Sequence, residues 1–408
     1  MNIHRFQENF CNIAQYGIQK NGGVTRLAFT KEDMDARNYL IDAMRRARLQ
    51  VHIDPIGNIR GLRPGRNSNL SPVMIGSHLD SVPNGGHYDG VVGVLAALEV
   101  IESLNDLELE TQRTIEIVNF SAEESSRFGM ATIGSKAITG KIQLSDIESL
   151  NDKNGESLIT VLNKTGQNIT ELPNSLISST SLHAYLELHI EQGPVLETTG
   201  INLGIVTDIA APTRYKLSIT GRSDHSGNTP MEMRYDALTG AAEIVLAVER
   251  LTKNGGKHTV GTVGELFVNS GAMNVIPGQV NLSIDIRDTS MANKNRVIEQ
   301  LQEIIENVSS TRQLEISTTT ICNDQPVKLS DNIAKIIAKH ASKQKLSYNM
   351  MPSGAGHDAM HFAEIVPTGL IFIPSIGGLS HNPSEKSNMS DIVNGIEVLT
   401  QTVIELTS

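Results

Sequence analysis

Five side chains able to bind a divalent metal stand in distinctive surroundings: His78, Asp89, Glu124, His189 and His381. Hydrolysis of an unactivated amide or ureide at neutral pH needs a strong nucleophile. Two divalent ions supply one, by lowering the pKa of a bridging water and polarising the carbonyl. Neutral imidazoles suit zinc, nickel, cobalt or manganese, and a carboxylate such as Asp89 can bridge two ions because it has two oxygens. Asp80, two residues after His78, can hydrogen-bond the far nitrogen of that imidazole. Glu123 and Glu124 are adjacent carboxylates, so one can bind metal while the other stays free. The chain has twelve histidines, and one histidine near a strand end is more often structural or solvated. It is the combination that points to a metal centre.

The elements that must position these residues are legible around them. The apolar run Pro72-Val-Met-Ile-Gly76 reads as a short buried strand and ends in Ser77-His78-Leu79-Asp80. A glycine-rich loop, 84–90, delivers Asp89 to an apolar helix from Val91 to Leu104. Thr114–Phe120 is a second strand, ending in Ala122-Glu123-Glu124. Upstream, residues 31–49 have helical spacing in Met34, Leu40, Ile41 and Met44, and Val51–Gly61 reads as a strand broken by a Pro-Ile-Gly turn. Strands alternating with helices predict an α/β sheet, in which ligands sit beyond the carboxyl ends of the strands. From about residue 210 the pattern changes. Strand 215–220, helix 234–251, strands 259–268 and 279–287, helix 293–308 and strand 314–320 follow the ferredoxin-like β-α-β-β-α-β order. Residues after about 325 return to helix and strand, including Leu370–Ile373. We therefore expect a catalytic domain of residues 1–209 and 325–408, with a mixed sheet flanked by helices, and an inserted α+β domain of residues 210–324.

Bulk properties fit that reading. With 408 residues the chain is too long for one core, and 39% hydrophobic and 19% charged residues describe a folded protein. A formal net charge of −11 argues against nucleic acid as partner. The two cysteines, Cys11 and Cys322, form no CxxC pair, which suggests unpaired thiols in a reducing compartment. The N-terminal residues carry no signal-peptide core and no stretch is apolar enough to span a bilayer, so a cytoplasmic location is expected.

The segments GSHLDSVPNGGHYDG, SAEESSRFG, ELHIEQGPVLE, DHSGNTPM, NVIPG, SGAGHDA and SHNPSE together resemble the M20 metallopeptidase-like superfamily. The resemblance is to its branch of N-carbamoyl-L-amino acid hydrolases, β-ureidopropionases and allantoate amidohydrolases. It implies that His78, Asp89 and His189 hold one metal ion, and that Asp89, Glu124 and His381 hold the other. The ions would be Zn²⁺, Mn²⁺, Co²⁺ or Ni²⁺. Glu123 would be the general base. Peptidase relatives usually carry an acidic ligand where this chain has His189, which favours a ureido or carbamoyl substrate over a dipeptide. Such a substrate bears a carboxylate, which the guanidinium fork of Arg287 fits, although an arginine paired with Asp285 or Asp288 would look the same in sequence. Gln192 would bond the carbamoyl group, and Asn274 resembles a substrate contact. Gly354 to Gly356 would offer N–H groups to the carboxylate. His225 would stabilise the oxyanion from the partner subunit, the inserted domain serving as a dimerisation lid. His87 lies close to the ligands without being one, and His357 reads equally well as a packed histidine. The expected activity is hydrolysis of an N-carbamoyl-L-amino acid, with allantoate as the alternative substrate.

Overall fold

The structure is a computed structural model describing residues 1–269 and 271–408. The chain divides into two compact units. The first comprises Met1–Thr207, Lys328–Met351 and His357–Ser408, the second Asp208–Val327 and Pro352–Gly356. The short segment 352–356 belongs with the second unit, whereas the sequence reading placed it in the first.

The first unit is built on a mixed sheet. Its strands run in the order 50–53, 59–63, 115–120, 73–78, 184–190, 368–373, 203–209 and 327–328, with 348–353 paired to 203–209. The four central strands, 115–120, 73–78, 184–190 and 368–373, are parallel. Every residue of these four strands is buried, as expected of parallel strands covered on both faces. Helices Ile3–Ala14, Lys31–Arg46, Val91–Asp106, Asp331–Lys343 and Met389–Thr407 share one core with Val73, Ile75, Ile115, Ile117, Leu186 and Leu188. The opposite face carries Phe120 and Tyr185, on which Phe362 stacks with a Tyr185–Phe362 centroid separation of 4.4 Å. Gly76 lets the strands meet: a Cβ there would lie 1.9 Å from the Val118 carbonyl oxygen. Because the central strands are parallel, their carboxyl ends share one edge, where His78, Glu123, Glu124 and His189 gather.

The second unit is a four-stranded antiparallel sheet in the order 315–323, 211–220, 279–288 and 260–269. Strand 279–288 alternates, with Val280, Leu282, Ile284 and Ile286 packed in a core with residues of helices Ala237–Lys253 and Met291–Arg312. Asp236 and Ser290 cap those two helices through side-chain oxygens. The helix ends and strands fall within a few residues of the β-α-β-β-α-β reading. No helix among the described residues is long and apolar enough to cross a membrane.

Candidate active site

Asp89 lies at the centre of the site. It is delivered by the turn before helix Val91–Asp106, whose first flanking residue, Gly90, has φ +66°. A Cβ on Gly90 would sit 2.5 Å from the His78 ring, so only glycine lets the loop pass that close. One Asp89 oxygen, Oδ1, lies 3.1 Å from His189 Nε2 and 3.5 Å from His78 Nε2. The other, Oδ2, lies 3.3 Å from His381 Nε2, which is also 3.3 Å from Glu124 Oε1. Two three-residue sets therefore share one carboxylate: His78, Asp89 and His189, and Asp89, Glu124 and His381.

The imidazoles are oriented by backbone. His78 Nδ1 meets the Asp80 carbonyl oxygen at 3.0 Å and His189 Nδ1 meets the Ile190 carbonyl oxygen at 2.9 Å. Each Nδ1 thus donates to a backbone carbonyl, and each Nε2 faces Asp89 Oδ1. The sequence reading gave the first task to the Asp80 carboxylate, which stands 3.8 Å from Nδ1. That carboxylate instead accepts the backbone N–H of Glu123 at 3.2 Å and of Glu124 at 3.0 Å, one on each oxygen. It thereby fixes the turn after strand 115–120, which Ala122 enters at φ +51°.

The electrostatics call for cations. Burial alone would raise Asp89, but hydrogen bonds from His189, His381 and His78 outweigh it and hold the carboxyl well below the usual range. Asp89 and Glu124 push half-exposed His381 up to about 11. Burial, with Glu124, Asp358 and Asp80 nearby, pushes Glu123 well above the carboxylate range against the opposing pull of His78. Glu123 Oε2 is 3.7 Å from His78 Nε2. A cluster of imidazole nitrogens and carboxylate oxygens crowded this closely is a donor set for divalent ions once the imidazoles give up their Nε2 protons. Its residues fit two of them.

Other residues enter the site differently from the sequence reading. Gln192, at φ +57°, donates from Nε2 to Asp89 Oδ2 at 2.7 Å and to Ser380 Oγ at 3.2 Å, leaving buried Oε1 without a partner. Its amide nitrogen is therefore committed to Asp89, and only an acceptor remains for a substrate N–H. The His87 Nε2 meets the Gly22 carbonyl oxygen at 2.8 Å, away from the ligand set. His357 packs its ring on His189, centroids 4.6 Å apart. Glu187, Ser380 and Glu385 were missed. Glu187 accepts from Ser77 Oγ, Tyr185 Oη and the Ala359 N–H. All three lie inside motifs singled out for a neighbouring histidine, and that proximity was the available signal.

In the second unit, Arg287 does not hold an empty fork. Its Nε and Nη2 donate to the two oxygens of Asp285 at 2.9 and 3.0 Å, and Nη1 donates to the Gly354 carbonyl oxygen at 3.1 Å. Asp285 also accepts from Arg214 at 2.8 Å. Of five guanidinium N–H groups, two are left by these bonds. Arg287, Arg214, Lys216 and Gly354 line a cavity of about 570 Å³ on this sheet. Exposed His225 accepts at Nδ1 from the N–H groups of Gly227 and Asn228, at 3.1 and 3.2 Å, so its proton sits on Nε2. Its loop is tied to that of exposed Asn274 by a His225–Val275 bridge and a 3.1 Å bond from the Ser226 N–H to the Asn274 carbonyl. Gly356 is exposed.

Residues 74–405 match peptidase family M20/M25/M40. The chain belongs to that family. It is 38% identical to an N-carbamoyl-L-amino-acid amidohydrolase of Pseudomonas sp. (strain NS671), over 96% of this chain and 95% of that one. It is 39% identical to a ureidoglycolate hydrolase of Arabidopsis thaliana, over 98% and 86%. A solved amidase of the hydantoinase/carbamoylase family from Burkholderia multivorans superposes with a TM-score of 0.93 at 34% identity, covering 100% of this chain and 98% of that one. This M20 protein is a hydrolase acting on carbon–nitrogen bonds of linear amides.

Proposed function

We propose that the protein hydrolyses the carbamoyl carbon–nitrogen bond of a small ureido acid, an N-carbamoyl-L-amino acid first, with two divalent ions in the site around Asp89. The observation that carries this reading is the single carboxylate shared by two ligand sets, with Glu123 beside them. His78, Asp89 and His189 would hold one ion, and Asp89, Glu124 and His381 the other. When bound, such a pair lowers the pKa of a water and polarises the carbonyl. Glu123 takes the proton of the attacking water as the water oxygen bonds to the ureido carbon. It returns that proton to the amino nitrogen as the carbon–nitrogen bond breaks. Gln192 Oε1 accepts from the ureido N–H, and the two remaining N–H groups of Arg287 receive the substrate carboxylate. Asn274 and the Gly356 N–H add contacts to the same acid.

We further infer that His225 acts across a two-fold dimer, donating from Nε2 to the oxyanion in the partner's site. Two features support a partner at this unit. Strand 260–269 is a sheet edge with Val260, Leu266 and Phe267 exposed. Met231, Met233 and Met273 are exposed beside the His225 and Asn274 loops. The free thiols Cys11 and Cys322 agree with a cytoplasmic enzyme.

The decisive experiment is kinetics on N-carbamoyl-L-amino acids, N-carbamoyl-β-alanine, allantoate and ureidoglycolate, after chelation and reloading with Mn²⁺, Co²⁺, Ni²⁺ or Zn²⁺. Turnover of carbamoyl amino acids should need metal, and Glu123→Gln should lower kcat about 10²-fold or more with metal content intact. Full activity in metal-free protein would end the reading. Mixing His225→Ala with Glu123→Gln chains tests the dimer: action in trans restores one intact site in mixed dimers, and no recovery after confirmed subunit exchange excludes it.

A further inference from the structure

We propose that Glu385 is the positioning residue that holds Asp89 and His381 in register, so that it governs the affinity of one ion and not the other. The proposal rests on the two-ion reading above. Glu385 is buried and follows His381 by four residues in the same loop. Its Oε1 accepts the backbone N–H groups of Tyr88 and Asp89, at 2.9 and 3.0 Å. Its Oε2 accepts from Ser380 Oγ at 2.8 Å, and that hydroxyl lies 3.2 Å from Asp89 Oδ2. One carboxylate therefore grips the backbone that delivers Asp89, and it shares the single Ser380 Oγ–H with the Asp89 oxygen that faces His381. The approach is close by construction, since a Cβ on Gly86 would fall 2.2 Å from Glu385 Oε1.

The asymmetry follows from what anchors each ligand. His78 and His189 lie on buried strands and are oriented by the carbonyls of Asp80 and Ile190, with no bond to the 380–385 loop. They face Asp89 Oδ1. His381 is half-exposed, at φ +54°, on the loop that Glu385 pins down, and it faces Oδ2. Loss of Glu385 frees the loop and Oδ2 together, whereas the Oδ1 side keeps its anchors in the buried strands, through the Asp80 and Ile190 carbonyls and the Gly90 N–H, 3.2 Å from His189 Nε2.

The test is calorimetric titration of chelator-stripped protein with Zn²⁺ and with Co²⁺, with metal content after equilibrium dialysis measured by atomic emission. Wild type should take two ions per chain. Glu385→Ala should weaken one binding step by about 10- to 100-fold, the usual scale for a partner behind a metal ligand, and leave the other within about threefold. Glu385→Gln keeps an acceptor for the two backbone N–H groups and should weaken the same step less. Ser380→Ala removes only the hydroxyl relay and should do likewise. If Glu385→Ala does not fold, these two milder variants carry the test by the same criterion. Two steps unchanged in the variants, or two steps weakened by equal factors, overturn the proposal while leaving the two-ion reading intact. A wild type that binds no second ion overturns both.

Discussion

Replacing Asp80 by Asn separates two ways of reading that residue. The carboxylate gives one oxygen to the Glu123 N–H at 3.2 Å and the other to the Glu124 N–H at 3.0 Å. Asparagine keeps one acceptor and sets an NH₂ group against the other N–H, so one buried donor loses its partner and meets a second donor. An orphaned buried donor costs about 1–3 kcal/mol, and a lost bond to a charged acceptor about 1.5–3 kcal/mol. The two figures describe overlapping events, so about 2–3 kcal/mol is the working value. If the turn carrying Glu123 pays this in the transition state, kcat falls by about 30- to 150-fold. His78 keeps its bond to the Asp80 backbone carbonyl, so the ion it holds should be retained within about threefold, below the usual effect of disturbing a partner behind a ligand. Steady-state kinetics of the metal-loaded variant, paired with a metal titration, reads both quantities. Loss of an ion with normal kcat after reloading would refute the reasoning and return the carboxylate to His78.

Gly90→Ala should cost about 2–4 kcal/mol from a left-handed backbone and an overpacked contact, since its methyl would lie 2.5 Å from the His78 ring; denaturant unfolding should show it, and an unchanged midpoint would refute the contact. Arg287→Lys cannot span both oxygens of Asp285 and the Gly354 carbonyl, so kcat/KM for a free-carboxylate substrate should fall about 10- to 100-fold, while an amide-capped substrate should be nearly indifferent. Equal losses on both would make Arg287 structural. Burial raises Asp54 to about 6 in the folded state, above its unfolded value of about 3.9. Its contribution is then fully present below pH ~4 and lost as pH rises to ~6, a change of about 3 kcal/mol by linkage. The stability of wild type relative to Asp54→Asn should fall as pH rises from about 4 to about 6 and level off above, and a pH-independent difference would exclude the shift.

Much of the site was legible because its residues sit where strand patterns stop. His78 ends an apolar run that reads as a buried strand and Glu124 closely follows another, and the glycine-rich loop before Val91 marks the delivery of Asp89. Side-chain partners were less legible, since they depend on which loops converge. Nothing local in Asp80 says that its backbone, not its carboxylate, meets His78. Arg287 was named with the alternative that it pairs with Asp285, and the geometry realises that pairing. Residues 352–356 were placed in the wrong unit because a five-residue segment has no periodicity of its own. Glu385 was invisible because its partners, Tyr88 and Asp89, lie almost 300 residues away.

The shared carboxylate also sets an order of assembly during synthesis. The side chains that face Asp89 Oδ1, His78 and His189, have all been translated by residue 189, whereas His381 follows 192 residues later. At roughly 5–20 residues per second that interval is about 10–40 s. The strand 368–373, which pairs with the His189 strand, also arrives only at its end. A nascent chain therefore holds His78, Asp89 and His189, the residues proposed for one ion, for tens of seconds before His381 is made, so on that proposal an ion captured early would sit in the set that needs no C-terminal loop.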